Sequence, residues 1–382
     1  MLEVDLRVAR RMFDVAAAFT VADGERLALF GPSGSGKTTI LEAIAGLVAV
    51  AEGRIRLGQR ELTAVGPAPR PGGRPRALQV PPWAREVALL RQEPGLFPHL
   101  SVLENLTYGG ARANDGEVAR LVEILQLQGL LSASPRRISG GQAQRVALGR
   151  ALISRHRALL LDEPYTGLDA PLRRELTQLV RDQVGARDVP AVLVAHELEE
   201  AQAFADHLGI LDHGRILQVG TPSDVVRHPA SPRVAGLVGY RGLVGVAVLG
   251  RPMLAAVHPD GVRFGARPGL GPVVEGRVVG RRPAGTGWEV DVQTGPGYLR
   301  PAAAAPGTGA TDAVAARDRL SFRTSELSAE PGSDVVLTLL DPPLFDRAAA
   351  DEAPPPVPPS SIPTSAEGKR AATVRFDNGV RP

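Results

Sequence analysis

Apolar runs and helical patterns alternate over residues 1 to about 235, which predicts an α/β fold for this part of the chain. The run RLALF at residues 26–30 has the uninterrupted apolar character of a buried strand. A glycine-rich turn follows it, and the next apolar positions recur at helical spacing. That spacing places four side chains on one side of a predicted helix, namely Ile40, Leu41, Ile44 and Leu47.

Two later apolar runs each end in polar residues. The run ALLLDE at 158–163 ends in two carboxylates, and the run AVLVAH at 191–196 ends in a histidine. Both runs have the length and composition of buried strands. Because ligands bind at the carboxyl ends of the strands in an open parallel sheet, we expect the functional residues to lie along that edge.

Three other stretches depart from this pattern. Residues 66–82, GPAPRPGGRPRALQVPP, are rich in proline, glycine and arginine, which predicts a long surface loop. From about 236 to 345, short β-type runs are broken by glycine and proline, which predicts a separate small β domain in the form of a partly closed barrel. Residues 346–382 include APPPVPPSSIPTS and are typical of a disordered tail.

Composition narrows the classes of protein to consider. A length of 382 residues suggests two domains, and 43% hydrophobic with 22% charged residues is ordinary for a globular protein. No apolar run approaches the roughly 18 residues of a membrane helix, and the first residues lack the apolar core of a signal peptide. The absence of cysteine fits a reducing compartment, so we expect a cytosolic chain. The net charge of +3 is small for this length, and a pI of about 9.6 mostly reflects the arginine content, so it is weak evidence for a nucleic-acid partner.

The turn after residues 26–30 matches the phosphate-loop pattern G-x-x-x-x-G-K-[ST] without departures. Glycines let backbone N–H groups surround phosphate, and the following helix directs its positive end at the same place. Lysine supplies a compact charge where the planar fork of arginine would not fit, and threonine can bind Mg²⁺. The alternative is a simple Gly-Ser turn into a helix. The candidate nucleotide-binding residues are Gly31, Pro32, Ser33, Gly34, Ser35, Gly36, Lys37, Thr38 and Thr39.

A second glycine-containing segment, ISGGQ, precedes a predicted amphipathic helix. Ser139 is placed to cap that helix, and Gly140 and Gly141 leave backbone amides open to an anion, with Gln142 next in sequence. In isolation, a capped helix start with a flexible turn would be the better interpretation. The phosphate loop elsewhere in the chain favours the functional one.

The strand-end residues have chemistry suited to nucleotide hydrolysis. Asp162 can hold Mg²⁺ through water, and Glu163 can polarise an attacking water. His196 can contact a γ-phosphate from the sheet edge, and Asp169 follows shortly after the acidic pair. Without a phosphate loop, a solvated strand end and a structural histidine would be the better interpretations.

Taken in order, these motifs resemble those of the ATP-binding cassette (ABC) ATPases. The order is the phosphate loop, Gln92 in LLRQEPGLFPHLSVLENL, ISGGQ, LLLDEP, GLD and VAH, and it covers about the first 235 residues. The resemblance implies an α/β P-loop NTPase cassette with a helical subdomain as the nucleotide-binding domain over 1–235. It implies a small all-β (OB/TOBE-like) accessory domain over 236–345.

The resemblance also implies roles for individual residues. Lys37 and Thr38 would bind the phosphates and Mg²⁺ of ATP, and Asp162 would support Mg²⁺. Glu163 would be the general base and His196 the residue that responds to the γ-phosphate.

By the same resemblance, Gln92 would sense Mg²⁺ and the attacking water. The segment from Ser139 to Gln142 would cap the nucleotide held by an opposite subunit, and Asp169 would help the two subunits communicate. The chain has one phosphate loop and one such segment, so a complete site requires a second cassette, most simply in a homodimer.

Three positions depart from the family pattern or leave it open. Ile138 replaces the usual leucine, and Arg91 stands where an apolar residue commonly precedes the glutamine. Neither change removes a functional group. Phe13 is the candidate for the aromatic residue that stacks on adenine, and a role in the core is the alternative.

The segment LFPHLSVLENLTYG is similar to importer subunits that serve molybdate, sulfate, iron, polyamine and thiamine permeases, and the molybdate-type members resemble the chain most. We therefore expect an ATPase that energises uptake of a small solute, an oxyanion such as molybdate. Its partners would be a permease and, indirectly, an extracytoplasmic solute-binding protein, with the chain peripheral on the cytoplasmic face of the membrane. The alternatives are the other importer substrates, a soluble cassette ATPase acting on nucleic acid or ribosomes, and an exporter ATPase. No long helical arms or second cassette are present for the soluble class, so we expect no nucleic-acid partner.

Overall fold

The computed structural model describes residues 1–66, 76–109, 115–248, 251–265, 271–284, 287–294, 319–324 and 330–346. Nearly all of the expected tail over 346–382, and residues 67–75 of the expected loop, lie outside the described residues. The described chain divides into one compact unit over residues 1–221 and another that begins at Pro222. Residues 222–235, which we assigned to the nucleotide-binding domain, therefore fall in the second unit.

The first unit contains eleven strands and six helices among the described residues. Its strands are β1 (Leu2–Val8), β2 (Val15–Val21), β3 (Arg26–Phe30), β4 (Glu52–Leu57), β5 (Arg60–Gly66), β6 (Arg76–Gln79), β7 (Val87–Leu90), β8 (Ala158–Asp162), β9 (Ala191–Ala195), β10 (His207–Asp212) and β11 (Arg215–Gly220). Its helices are α1 (Lys37–Ala45), α2 (Val102–Thr107), α3 (Asp115–Ile124), α4 (Gly140–Ile153), α5 (Ala170–Arg187) and α6 (Leu198–Phe204).

The second unit begins with two short helices and continues in strands. The helices are α7 (Pro222–Arg227) and α8 (Pro232–Leu237). The strands are β12 (Gly242–Val248), β13 (Arg251–Val257), β14 (Val262–Phe264), β15 (Val273–Ala284), β16 (Gly287–Gln293), β17 (Arg319–Thr324), β18 (Asp334–Leu339) and β19 (Leu344–Asp346). No described helix in either unit combines the length and the apolar character needed to cross a membrane.

One sheet organises the first unit, in the order β6-β5-β4-β1-β2-β11-β10-β3-β9-β8-β7. The five adjacent strands β10, β3, β9, β8 and β7 are parallel. Strands β1, β2, β4, β5 and β6 pair antiparallel with one another, and β11 joins the two groups by pairing antiparallel with β10 and parallel with β2. Strands β8 and β9 are buried at every position, as their continuous apolar sequences predict. The α/β prediction for this part of the chain is confirmed.

Helix α1 is shorter than its apolar pattern predicts. It begins after Gly36 and ends at Ala45, and the φ of 82° at the next residue, Gly46, is the left-handed conformation that commonly closes a helix. Ile40, Leu41 and Ile44 are buried, but Leu47 lies beyond the helix and is 51% exposed. The prediction that Leu47 shares the buried side of this helix is therefore wrong.

The prediction of a surface loop over residues 66–82 is also wrong in part. Residues 76–79 form β6, which pairs antiparallel with β5 at the edge of the large sheet. A short 3-10 turn, Pro82–Ala84, follows. An edge strand tolerates prolines close to its ends because one side of the strand needs no hydrogen-bonded neighbour.

The β-rich prediction for the second unit agrees with its strands, but the described strands form two sheets rather than one rolled barrel. The first has the order β12-β13-β19 and the second the order β14-β18-β15-β16-β17, all antiparallel. Side chains from both sheets share one hydrophobic core, which includes Val244 and Ala255 from the first and Val290 and Phe322 from the second. The unit therefore has a core of its own.

Candidate functional site

The carboxyl ends of four neighbouring parallel strands bring the predicted residues together. Strands β3, β9, β8 and β7 are adjacent in that order. Gly31 directly follows β3, His196 follows β9, and Glu163 follows β8, while Gln92 lies two residues beyond β7. Motifs far apart in the sequence therefore meet at one sheet edge, the place where open parallel sheets bind ligands.

The phosphate loop has the conformation that its glycines were expected to provide. A Cβ at Gly31 would lie 1.9 Å from the backbone carbonyl oxygen of Leu211, so only glycine fits there. Gly36 has a φ of 106°, and a Cβ there would lie 2.8 Å from the side chain of Val15. The loop therefore packs closely on its neighbours and leads directly into α1.

The Lys37 ammonium group is held by the phosphate loop itself. Its Nζ atom donates to the carbonyl oxygens of Gly31, at 2.8 Å, and Pro32, at 2.9 Å. Burial lowers the pKa of Lys37, while the nearby carboxylates of Glu163 and Asp162 act in the opposite direction. A buried ammonium ion with neutral oxygen partners is well suited to receive a phosphate.

Asp162 and Thr38 provide the oxygen atoms that Mg²⁺ prefers. Asp162 is buried at the end of β8, and burial raises the pKa of its carboxyl group. A hydrogen bond from the Thr38 side chain and the charge of Lys37 lower that pKa, and the neighbouring carboxylates of Glu163 and Glu42 raise it. A divalent cation would stabilise this desolvated carboxylate, so the residues present fit Mg²⁺ carried by a nucleotide.

Glu163 lies between the two polar residues expected to act with it. Gln92 Nε2 donates to Glu163 Oε2 at 3.2 Å, and His196 Nδ1 lies 3.7 Å from the same oxygen. Glu163 has a φ of 49°, a left-handed conformation that costs a non-glycine residue free energy and is found disproportionately at functional sites. Its backbone N–H donates to Val194 of β9, which ties this conformation to the neighbouring strand.

The ISGGQ segment forms a capped helix start, as predicted. The Ser139 side chain accepts from the backbone N–H of Gln142, and the Gln142 side chain accepts from the backbone N–H of Ser139. Gly140 is exposed, and Gly141 is partly exposed. In the described part of the chain, no hydrogen bond joins this segment to the phosphate loop.

Asp169 caps α5 close to the ISGGQ segment. Its carboxylate accepts from the backbone N–H of Leu172 at 2.9 Å. A Cβ at Gly141 would lie 3.7 Å from the carbonyl oxygen of Gly167, so the start of α4 approaches the turn that leads to Asp169. The Thr166 side chain donates to the carbonyl oxygen of Glu163, so one short turn connects Glu163, Asp169 and the ISGGQ segment.

Comparisons with known proteins agree with this geometry. The model of the family described as ABC transporter matches residues 16–166. A sulfate/thiosulfate import ATP-binding protein of Brucella melitensis is 35% identical over 333 residues, covering 80% of this chain and 88% of the relative. An sn-glycerol-3-phosphate import ATP-binding protein of Rhizobium johnstonii is 38% identical over 257 residues, covering 65% of this chain and 70% of the relative.

The chain belongs to the ABC transporter family. Its ATP-binding subunits are ATPases coupled to transport, and their nucleotide-binding domains bind ATP with Mg²⁺. A solved ATP-binding subunit of an ABC transporter aligns with a TM-score of 0.50 and 28% identity, covering 62% of this chain and 94% of that chain. The predicted ABC cassette fold is confirmed, whereas the roles of individual residues remain predictions.

Phe13, the candidate for adenine stacking in this ABC subunit, packs against the turn after β10. Its ring meets the ring of His213 edge-on at 6.0 Å, and a Cβ at Gly214 would lie 2.8 Å from Phe13. Phe13 is half-buried and borders the core of the first unit. One edge of its ring therefore has a structural role, and stacking on adenine remains a prediction.

Two arginines outside the predicted site residues connect the motifs of the ABC cassette. Arg150 of α4 donates to the carbonyl oxygens of Pro94 and Gly95 and lies 5.4 Å from the centre of the Phe97 ring, in the segment after Gln92. Arg173 of α5 forms an ion pair with Glu197, the residue after His196. In a chain rich in arginine, neither position carries a pattern in sequence that would select it.

Proposed function

We propose that this chain is the ATP-hydrolysing subunit of an importer, in which two copies enclose two MgATP between phosphate loops and opposing ISGGQ segments. The observation that carries the proposal is the contact of Gln92 and His196 with the same oxygen of Glu163 beside the phosphate loop. That arrangement can hold a water between a carboxylate base and a γ-phosphate.

The residues of the chain divide the work of hydrolysis. Lys37 and the loop amides hold the phosphates, while Thr38 and Asp162 hold the Mg²⁺, which supplies charge stabilisation when bound. Glu163 takes the proton of the attacking water, and His196 contacts the γ-phosphate. Gln92 orients the attacking water and transmits the state of the nucleotide site to the segment that follows Gln92.

The second copy supplies the part that one chain lacks. Ser139, Gly140, Gly141 and Gln142 would close over the nucleotide of the partner, with Asp169 at the same interface. The exposure of Ser139 and Gly140 on the described chain supports this role, because backbone amides at a helix start can bind the γ-phosphate of a facing site.

We propose that closure reaches a transmembrane permease through the segment after Gln92, with the chain peripheral on the cytoplasmic face. Arg150 supports this proposal, because it bonds that segment to α4, the helix that begins at the ISGGQ segment. Movement of the ISGGQ segment and of the Gln92 segment would therefore be coupled. An extracytoplasmic solute-binding protein would act on the permease, and no nucleic acid would take part.

The proposed cargo is a small oxyanion. Relatives of this chain are named for import of sulfate/thiosulfate and of sn-glycerol-3-phosphate, all of which carry anionic oxygens. Molybdate, the first cargo expected from the sequence, belongs to the same chemical class as sulfate. We propose the oxyanion class and treat sulfate and molybdate as its two candidates.

The Glu163→Gln variant tests the hydrolytic role. The amide keeps the shape of Glu163 but cannot accept a proton, so we expect MgATP binding to persist while turnover falls about 100-fold or more. The variant should also accumulate as an ATP-bound dimer, measured by light scattering after size-exclusion chromatography. Turnover near that of the wild type would contradict the assignment of the base.

Uptake of labelled anions tests the cargo. A strain that lacks this chain should lose uptake of either labelled sulfate or labelled molybdate, and the wild-type gene but not Glu163→Gln should restore it. Unchanged uptake of both anions would reject sulfate and molybdate as cargo, whereas the ATPase assignment is tested separately by Glu163→Gln. ATPase activity stimulated by nucleic acid would reject the importer proposal itself.

A further inference from the structure

The turn between β1 and β2 is held in a fixed conformation beside the phosphate loop. Val8 and Val15 form the last pair of the two strands. Arg7 closes the turn by an ion pair with Asp14 at 2.9 Å and also pairs with Glu52 at 3.1 Å. The charge of Arg7 is therefore neutralised by two carboxylates, and residues 9–14 form the turn that the Arg7–Asp14 pair closes.

This hairpin packs directly on the nucleotide site. Val15 fills the space that a side chain at Gly36 would need. The backbone N–H of Ala16 donates to Gly214, and the N–H of Gly214 donates to Ser35 of the phosphate loop. The position of the hairpin relative to the phosphates is therefore set by backbone contacts on both sides.

Arg10 extends from the hairpin to the first turn of α1. Its Nη2 atom donates to Thr39 Oγ1 at 3.2 Å, which is its single hydrogen bond within the described residues. No carboxylate of the described chain forms an ion pair with Arg10, in contrast to Arg7. An arginine whose charge is not neutralised thus stands beside the helix start that receives phosphate.

The position of Thr39 indicates which phosphate Arg10 would meet. The first backbone N–H groups of a helix have no partner within it, and at a phosphate loop they bind the α- and β-phosphates. The lysine of the motif reaches the β- and γ-phosphates, and the next threonine binds Mg²⁺. Thr39 is neither the lysine nor the Mg²⁺ ligand of the motif, which leaves its first-turn N–H among those that bind the α- and β-phosphates.

We propose that Arg10 is a nucleotide-binding residue that contacts the α-phosphate of bound ATP or ADP. The planar guanidinium group can donate two parallel hydrogen bonds to phosphate oxygens, which makes arginine a better ligand here than at the enclosed position of Lys37. This inference rests on the proposed nucleotide site. It adds a contact from outside the phosphate-loop motif.

Calorimetric titration with ADP and with AMP, without Mg²⁺, tests the proposal on the full chain. Arg10→Gln should weaken the binding of both nucleotides by about five- to tenfold, because an exposed charged hydrogen bond to phosphate is lost. Arg11→Gln is the matched control, because Arg11 is exposed and the change removes the same charge one residue further along the chain. It should change either affinity by less than about twofold. The thermal unfolding temperature without nucleotide should be the same for both variants and the wild type.

Three results would overturn the proposal. They are wild-type affinity in Arg10→Gln, equal losses in Arg10→Gln and Arg11→Gln, or a loss for ADP without a loss for AMP. The last result would place Arg10 on the β-phosphate. A wild-type chain that does not bind ADP would instead reject the proposed nucleotide site, so the two failures are distinguishable.

Discussion

Lys37 is distinguished by the small space around its ammonium group. Its Nζ atom lies between the carbonyl oxygens of Gly31 and Pro32, and the side chain is buried. A guanidinium group carries the same charge but is planar and wider, so it would displace the loop amides. We predict that Lys37→Arg lowers ATP turnover by about 100-fold, comparable to other small misplacements at active sites. Steady-state hydrolysis and calorimetric ATP binding would check this, and near-normal turnover would show that charge alone is sufficient.

Glu200 gives the folding free energy a predicted pH dependence. It is buried in α6, and burial raises the pKa of its carboxyl group to about 8. Because this pKa exceeds the ordinary value of 4.5, the folded state binds the proton more tightly than the unfolded state. The protonated carboxyl therefore makes its full contribution to the free energy of unfolding below about pH 4.5. That contribution is lost as the pH rises through about 8.

The Glu200→Gln variant tests this dependence. Its neutral amide should remove the pH-dependent loss of stability, so the free energy of unfolding of the wild type should fall by about 4 kcal/mol relative to the variant between pH 5 and pH 9. Urea unfolding at the two pH values measures this difference. Glu199→Gln, at an exposed neighbouring position, should follow the wild type. Parallel behaviour of Glu200→Gln and the wild type would contradict the prediction.

At the scale of the elements, α1 depends on a buried arginine outside the helix. Arg85 donates to the carbonyl oxygens of Ala43 and Ile44, to Val80, and to the Thr63 hydroxyl. Burial lowers the pKa of Arg85 to about 10, which still leaves it charged at neutral pH. It therefore satisfies the last carbonyl groups of the helix that carries Lys37.

We predict that Arg85→Lys lowers the free energy of unfolding by about 3 kcal/mol, because a lysine cannot replace donors that point in several directions. Arg60→Lys is the control, since Arg60 forms an exposed ion pair with Glu86. That change should cost less than about 0.5 kcal/mol. Chemical unfolding of both variants provides the measurement, and equal losses would show that the cap does not stabilise α1.

Local patterns predicted the elements that bear the site better than the elements around it. The apolar runs that form β3, β8 and β9 and the cap at Ser139 are local signals, and the structure has all of them. The strand β6 was missed because its stability comes from pairing with β5, which composition does not report. Arg85 was missed for the same reason, since its partners lie in segments distant in sequence.

At the scale of the whole molecule, the order of the strands determines which motifs meet. Gln92 precedes Glu163 in sequence, and His196 follows it, but β7, β8 and β9 lie side by side next to β3. The residue types at the strand ends predicted a shared edge. The hydrogen bond from Gln92 to Glu163 and the left-handed φ of Glu163 are tertiary results that no spacing in the sequence specifies.

The second unit could be predicted from its sequence only in part. Its strands were predicted from short apolar runs, but two sheets with a common core were not, because pairing between distant strands decides between a barrel and two sheets. Its core is separate from that of the cassette. The residues proposed to hydrolyse ATP all lie in the first unit, and the second copy would complete their site.

A mixing experiment tests the shared site most directly. Lys37→Ala removes the phosphate ligand, and Ser139→Arg blocks the segment that would face the nucleotide of the partner. Each variant alone should be inactive, and circular dichroism should show that each remains folded. In an equal mixture, about half of the dimers pair one variant with the other, and each mixed dimer has one of its two sites intact. The ATPase activity should therefore recover to about a quarter of the wild-type value. A mixture no more active than the two variants measured separately would contradict a site shared between two copies.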